Sequence, residues 1–166
     1  MTESGVVYVC GSGELGRLGL GHLAPAPTPM EIKYFGAHKL KVSQVSCGIA
    51  HTLALTDDRR VYAWGDGTWG NTGIANSPEV TEPTELHSLA VVEVIKVESG
   101  GYHSAAITME GAMYTWGKNT NGQVRLDPRF EEAKVTGHRS QKIWFRCFDM
   151  FCEQRDSLCV RPHPKP

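Results

Sequence analysis

The string Val7-Tyr8-Val9-Cys10-Gly11-Ser12-Gly13-Glu14-Leu15-Gly16-Arg17-Leu18-Gly19 returns as Val61-Tyr62-Ala63-Trp64-Gly65-Asp66-Gly67-Thr68-Trp69-Gly70-Asn71-Thr72-Gly73. It returns again as Met113-Tyr114-Thr115-Trp116-Gly117-Lys118-Asn119-Thr120-Asn121-Gly122. Tyr8 to Tyr62 is 54 residues and Tyr62 to Tyr114 is 52. A second line keeps the same phase: Val45-Ser46-Cys47-Gly48-Ile49-Ala50-His51-Thr52-Leu53-Ala54-Leu55-Thr56 recurs as Val97-Glu98-Ser99-Gly100-Gly101-Tyr102-His103-Ser104-Ala105-Ala106-Ile107-Thr108, again 52 residues on. A fixed period of this size means stacked units, each too small to bury its apolar face alone.

Within a unit the segments are short and divided by turn signals. His51 to Thr56 and Arg60 to Trp64 read as a hairpin across Asp57-Asp58-Arg59, and Ser104 to Thr108 with Ala112 to Trp116 as its counterpart across Met109-Glu110-Gly111. Each Gly-rich loop is followed by a polar, proline-marked segment (Pro25, Pro27 and Pro29; then Pro78 and Pro83), and the second of these by the β-branched run Val91 to Val97. No segment carries a sustained helical period. The expected class is all-β, a partial β-propeller of two to three blades with about four antiparallel strands each. Residues 1–125 hold the repeats, and residues 126–166 read as a degenerate third repeat or divergent tail. A faint further copy lies at Phe151 to Val160, with Asp156 standing 53 residues after His103.

The pattern Val-Tyr-x-Trp-Gly-x-Gly-x-x-Gly-x-x-Gly, preceded by Cys/Ser-Gly-x-x-His-Ser/Thr-x-Ala-Leu/Ile-Thr, resembles the regulator of chromosome condensation repeat family over residues 6–125. The resemblance implies a β-propeller, seven-bladed in typical members, that binds protein partners and performs no bond chemistry of its own. Its founding member is a guanine-nucleotide exchange factor for the Ran GTPase, so the implied activity is regulation or nucleotide exchange of a small GTPase. Other members dock partners or substrates for larger assemblies such as ubiquitin ligases, which is the alternative reading. The third unit departs from the pattern, with Arg125 where Gly19 and Gly73 predict a glycine, and Ile74 to Val91 leaves no room for a protruding inserted hairpin. Seven blades need more than twice this length, so an open array is expected to expose strand edges and self-associate or find a partner.

Gly11-Ser12-Gly13-Glu14-Leu15-Gly16 is also a literal GxGxxG, and Glu31 lies 20 residues after Gly11, as a ribose-binding acid would. A dinucleotide site needs a helix starting at that loop, and Gly19, Gly21, Pro25, Pro27 and Pro29 forbid one. A dinucleotide-dependent oxidoreductase is therefore disfavoured, no cofactor is expected, and the glycines are assigned to tight turns and close backbone approach. Gly11, Gly16, Gly48, Gly65, Gly70, Gly100, Gly117 and Gly122 are structural repeat positions on this reading, together with His51, His103, Trp64 and Trp116. Each imidazole is expected to tie its turn to a neighbouring strand, and Tyr8, Tyr62 and Tyr114 to lie in the core with the tryptophans.

Asp66, Thr68 and Trp69 are the candidate partner-binding residues, because Trp69 replaces Leu15 and Asn121 of the other copies at a loop position. Glu79, Glu82 and Glu85 read as a solvated loop. No GxSxG, HExxH, paired CxxC or P-loop lysine occurs, so no catalytic residue is assigned. Cys147, Cys152, Cys159 and His163 lack the close pair of a structural zinc site, and no metal is expected. Lys and Arg total 17 against 18 Asp and Glu, a net charge of −1 with no basic run, which disfavours direct nucleic-acid binding. The first residues carry no basic segment before a short apolar stretch, so no signal peptide or membrane span is expected, and five cysteines without a secretion signal read as reduced thiols of the cytoplasm or nucleus.

Overall fold

The repeats fold as antiparallel sheets stacked face to face in a computed structural model that describes residues 1–122 and 124, and the backbone of 134–135, 138–139 and 141–144. Strands β1 (Tyr8–Gly11) and β2 (Ala26–Glu31) pair alone. The next unit is complete: β3 (Val42–Cys47), β4 (His51–Thr56), β5 (Val61–Asp66) and β6 (Glu79–Glu85) pair in chain order. The third sheet contains β7 (Val94–Ser99), β8 (His103–Thr108) and β9 (Ala112–Gly117). A small hairpin of β10 (Lys134–Val135) and β11 (His138–Arg139) precedes β12 (Gln141–Trp144), which pairs with β9 as the fourth strand of that sheet. The third sheet therefore runs past residue 125 into the segment expected to diverge. The faint copy at Phe151 to Val160 lies outside the described residues.

Both expected hairpins form, with Thr52 opposite Trp64 and Ser104 opposite Trp116. All six residues of β4 and of β5 are buried, which a strand achieves only when both faces of its sheet are covered. Side chains alternate between the two covers. Ala54, Tyr62 and Trp64 face the first sheet with Val7, Ile32, Phe35 and Val80, while Leu53, Leu55, Val61 and Ala63 face the third with Val94, Val97, Tyr114 and Trp116. A single helical turn, α1 (Lys33–Ala37), tucks Phe35 edge-on against Tyr62 at 5.6 Å between centroids.

Four expectations need correction. Glu79, Glu82 and Glu85, read as a solvated loop, lie in strand β6, and the proline-marked segments form strands: Pro27 and Pro29 lie in β2 and Pro83 in β6, each the last strand of its sheet, where a residue without an N–H is tolerated on the unpaired side. The run from Val91 enters its strand only at Val94, because Val91, 89% exposed, sits in the turn that follows buried Leu89. Tyr8 is not core. It is 47% exposed, since Tyr62 and Tyr114 each pack against the preceding sheet and, among the described residues, no sheet precedes β1.

The GxGxxG loop leads into a 3-10 turn at Glu14–Gly16, not a helix. Gly11 pairs with Ala26 while Glu31 pairs with Tyr8, at the other end of β2. Tyr8 is three residues from Gly11, so at a rise of about 3.4 Å per residue Glu31, opposite Tyr8, stands roughly 10 Å along the sheet from the loop. The two parts of a dinucleotide fingerprint are thus held apart.

Candidate functional site

Trp64 and Trp116 point their indole N–H groups into the preceding sheet. Trp64 Nε1 donates to the Arg17 carbonyl at 3.0 Å, and Trp116 Nε1 to the Asn71 carbonyl at 2.9 Å. The same carbonyls accept the hydroxyls opposite the tryptophans: Thr52 Oγ1 donates to Arg17 at 3.3 Å and Ser104 Oγ to Asn71 at 2.7 Å. Arg17 and Asn71 occupy one repeat position, so one backbone oxygen per junction fastens two side chains of the next blade. Gly19 and Gly73, both at positive φ, leave room for the indoles, since a Cβ would come within 2.8 Å of Trp64 Nε1 and 3.1 Å of Trp116 Nε1.

His51 adds a third tie, with Nε2 2.8 Å from Ser104 Oγ in the following sheet. Because the Ser104 proton goes to the Asn71 carbonyl, His51 is the Nε2–H tautomer and donates. Burial pushes the His51 imidazole down to about 4, with the charge of nearby His103 pressing the same way and Asp66 opposing. Burial also lowers His103. Gly48 is glycine because the ring lies against it, where a Cβ would meet Nδ1 at 2.5 Å; Gly100 meets the His103 ring in the same way.

Motif spacing gave no hint of a serine–histidine pair, yet here is one. Its wiring runs opposite to a nucleophile and its base, in which imidazole accepts the serine proton. Ser104 is also fully enclosed. The pair serves to join blades.

On β3, Gln44 clasps the backbone of β7, donating Nε2 to the Val97 carbonyl at 2.7 Å and accepting from the Val97 N–H at 3.0 Å. Ser46 does likewise, accepting from Ser99 N at 2.8 Å while Ser99 Oγ donates to the Ser46 carbonyl at 3.1 Å. These residues escaped the sequence reading. Their repeat equivalents, Lys96 and Glu98, pair with each other at 3.2 Å, so no common side chain marks the position.

The pairs His51↔Gly65 and His103↔Gly117 set the end of each sheet where the Gly-rich loops emerge. Here Trp69 is 45% exposed and Thr68 is exposed, as a partner contact requires. Asp66 does not join them. It is 5% exposed, its Oδ1 accepting from the Thr68 N–H at 2.9 Å and hydroxyl at 2.5 Å, so it shapes the turn that presents Trp69. The sequence missed Lys118, whose ammonium sits 4.7 Å from the Trp69 centroid and 5.4 Å from that of Tyr102, bridging two blades. Ile49, 58% exposed, lies beside this group, its N–H donating to the Gly101 carbonyl at 3.1 Å. Among the described residues no three His, Cys, Asp or Glu side chains gather as a metal site, and no helix is long and apolar enough to cross a membrane. The tail cysteines and His163 lie outside the described residues.

The profile of the Regulator of chromosome condensation (RCC1) repeat matches residues 4–55 and 58–107, and a second profile of the same repeat matches 42–71 and 94–123. The chain is 36% identical over 169 residues to the E3 ubiquitin-protein ligase HERC2 of Mus musculus, covering 96% of this chain and 3% of that protein. It is 33% identical over 146 residues to the ultraviolet-B receptor UVR8 of Arabidopsis thaliana, covering 86% of this chain and 33% of the receptor. Among solved structures, human WBSCR16 superposes with a TM-score of 0.64 at 29% identity, over 70% of this chain and 29% of that one. Prp20p of Saccharomyces cerevisiae, a structure described with its binding properties to Gsp1p and histones, superposes at 0.63 and 19% identity, over 86% and 40%. The chain thus spans a third or less of these curated relatives.

Proposed function

This chain belongs to the regulator of chromosome condensation (RCC1) repeat family, and from that premise we propose that it is a protein-interaction module whose Gly-rich-loop end carries the contact surface. One observation carries the reading. Trp64, Trp116 and His51, which recur at one position in the repeat, are engaged in blade-to-blade bonds, whereas Trp69, Tyr102 and Lys118 differ from their counterparts Leu15, Ala50 and Asp66 and stand at the loop end. Identity across copies serves stacking; difference at an exposed place is available for recognition.

Two finer readings divide the family's known uses. In the first, the loops hold a small GTPase in its nucleotide-poor conformation and so accelerate exchange by shifting that population. The relationship to Prp20p supports it through the fold alone. In the second, the module docks a partner or substrate for a larger assembly such as a ubiquitin ligase. The identity to HERC2 and, at 35% over 76% of this chain, to the human probable E3 ubiquitin-protein ligase HERC6 favours this one. Release of a fluorescent guanine nucleotide from a panel of small GTPases separates them: acceleration by micromolar protein is expected only for the first. Affinity capture then returns either GTPases or ubiquitin-transfer components, and capture of neither class removes both finer readings. The exposed thiols of Cys10 and Cys47 fit a reducing compartment, the cytoplasm or nucleus.

A further inference from the structure

We propose that the surface formed by Ile49, Trp69, Tyr102 and Lys118 binds an acidic segment of a partner protein, with a carboxylate received by Lys118 and a flanking apolar side chain lying on Trp69 and Ile49. This rests on the interaction-module reading above and specifies the chemistry that module recognises.

Lys118 follows Gly117 as Asp66 follows Gly65, yet Asp66 turns inward to bind its own loop while Lys118 reaches across the blade junction to two aromatic rings. At the preceding junction Leu15 and Ala50 stand where Trp69 and Tyr102 stand here, so no cation could be held there in the same way. The assembly exists once among the described blades.

Charge settles the sign of the partner. Arg17, Lys41, Arg60 and Lys96 each have a carboxylate in ion-pairing reach, whereas Lys33, Lys39, Arg59 and Lys118 have none among the described residues, and of these four Lys118 is held over two aromatic rings. Its ammonium is fixed by the rings, so part of the ordering cost of a charged lysine is met before any partner arrives. An ammonium held over rings still has its outer hydrogens free to donate to a carboxylate. Beside it Trp69 is 45% exposed and supplies apolar contact next to the charge, and Ile49, 58% exposed, lies against Gly101, the chain neighbour of Tyr102. The surface fits an acidic residue with an aliphatic or aromatic neighbour, and a basic segment would meet Lys118 as a like charge.

The test is selection from a displayed random-peptide library on the immobilised full chain, in parallel with Lys118→Glu and Lys118→Gln. The expected result is enrichment of peptides pairing Asp or Glu with an apolar residue. Lys118→Gln should bind such peptides roughly tenfold more weakly. Lys118→Glu should invert the preference toward Lys and Arg, with melting temperatures close to that of the parent. Selection with no acidic preference, an acidic preference untouched by Lys118→Glu, or no enrichment at all overturns the proposal. The first two of these leave the interaction module standing, since peptides would still bind.

Discussion

At the scale of single residues, the histidine of each repeat illustrates how a fold requirement can resemble chemistry. His51 is held against Gly48 and donates to Ser104, so its protonated form has neither solvent nor an acceptor for a second proton. Its folded pKa of about 4 lies below the unfolded value near 6.5. The stability it contributes is present above about pH 6.5 and is lost as pH falls from there toward 4, on the order of 3 kcal/mol for complete loss. His103 acts in the same direction. Urea denaturation at pH 7.5 and pH 5 should show a lower midpoint at pH 5, and His51→Gln should flatten that dependence. A pH dependence unchanged in the variant would remove His51 as its source. The sequence exposed the repetition of this histidine and its glycine but not the serine it reaches, because that partner belongs to a different copy of the repeat.

At the scale of elements, each blade is fastened to the one before by its indole. Trp116→Phe removes the donor to the Asn71 carbonyl, which still accepts from Ser104, and the smaller ring leaves a gap in the buried site. A loss of about 2 kcal/mol is expected from the lost bond and the cavity together, read as a lower denaturant midpoint with unchanged slope. Combined with Trp64→Phe at the other junction, the losses should add, since the two carbonyls share no partner. The inner hairpins were legible in the sequence because β4/β5 and β8/β9 combine apolar runs with clear turn residues. The outer strands were not. Pro27, Pro29 and Pro83 argue against a strand unless one already knows that the strand is the last of its sheet. Trp69 could be singled out as an oddity among the copies, but Lys118 gained meaning only when its reach across two blades was seen.

For the whole molecule, the first Gly-rich loop predicts indifference to nucleotides. Titration of NAD(P) or ATP should leave the melting temperature unchanged, because the first Gly-rich loop continues into a 3-10 turn and Glu31 lies at the far end of β2. A saturable rise would restore the nucleotide reading of that loop. Beyond binding, the ties described above set how the chain finds its fold. His51 to Ser104, Gln44 to Val97 and Ser46 to Ser99 all span 53 residues. Those three join the second and third sheets, while the indole ties, present at both junctions, span 47 residues from Arg17 to Trp64 and 45 from Asn71 to Trp116, so each junction closes a loop of similar length, and even a doubled loop would add only about 0.6 kcal/mol of closure entropy. Assembly can therefore proceed one neighbour at a time, with the search for each new blade no slower than the last.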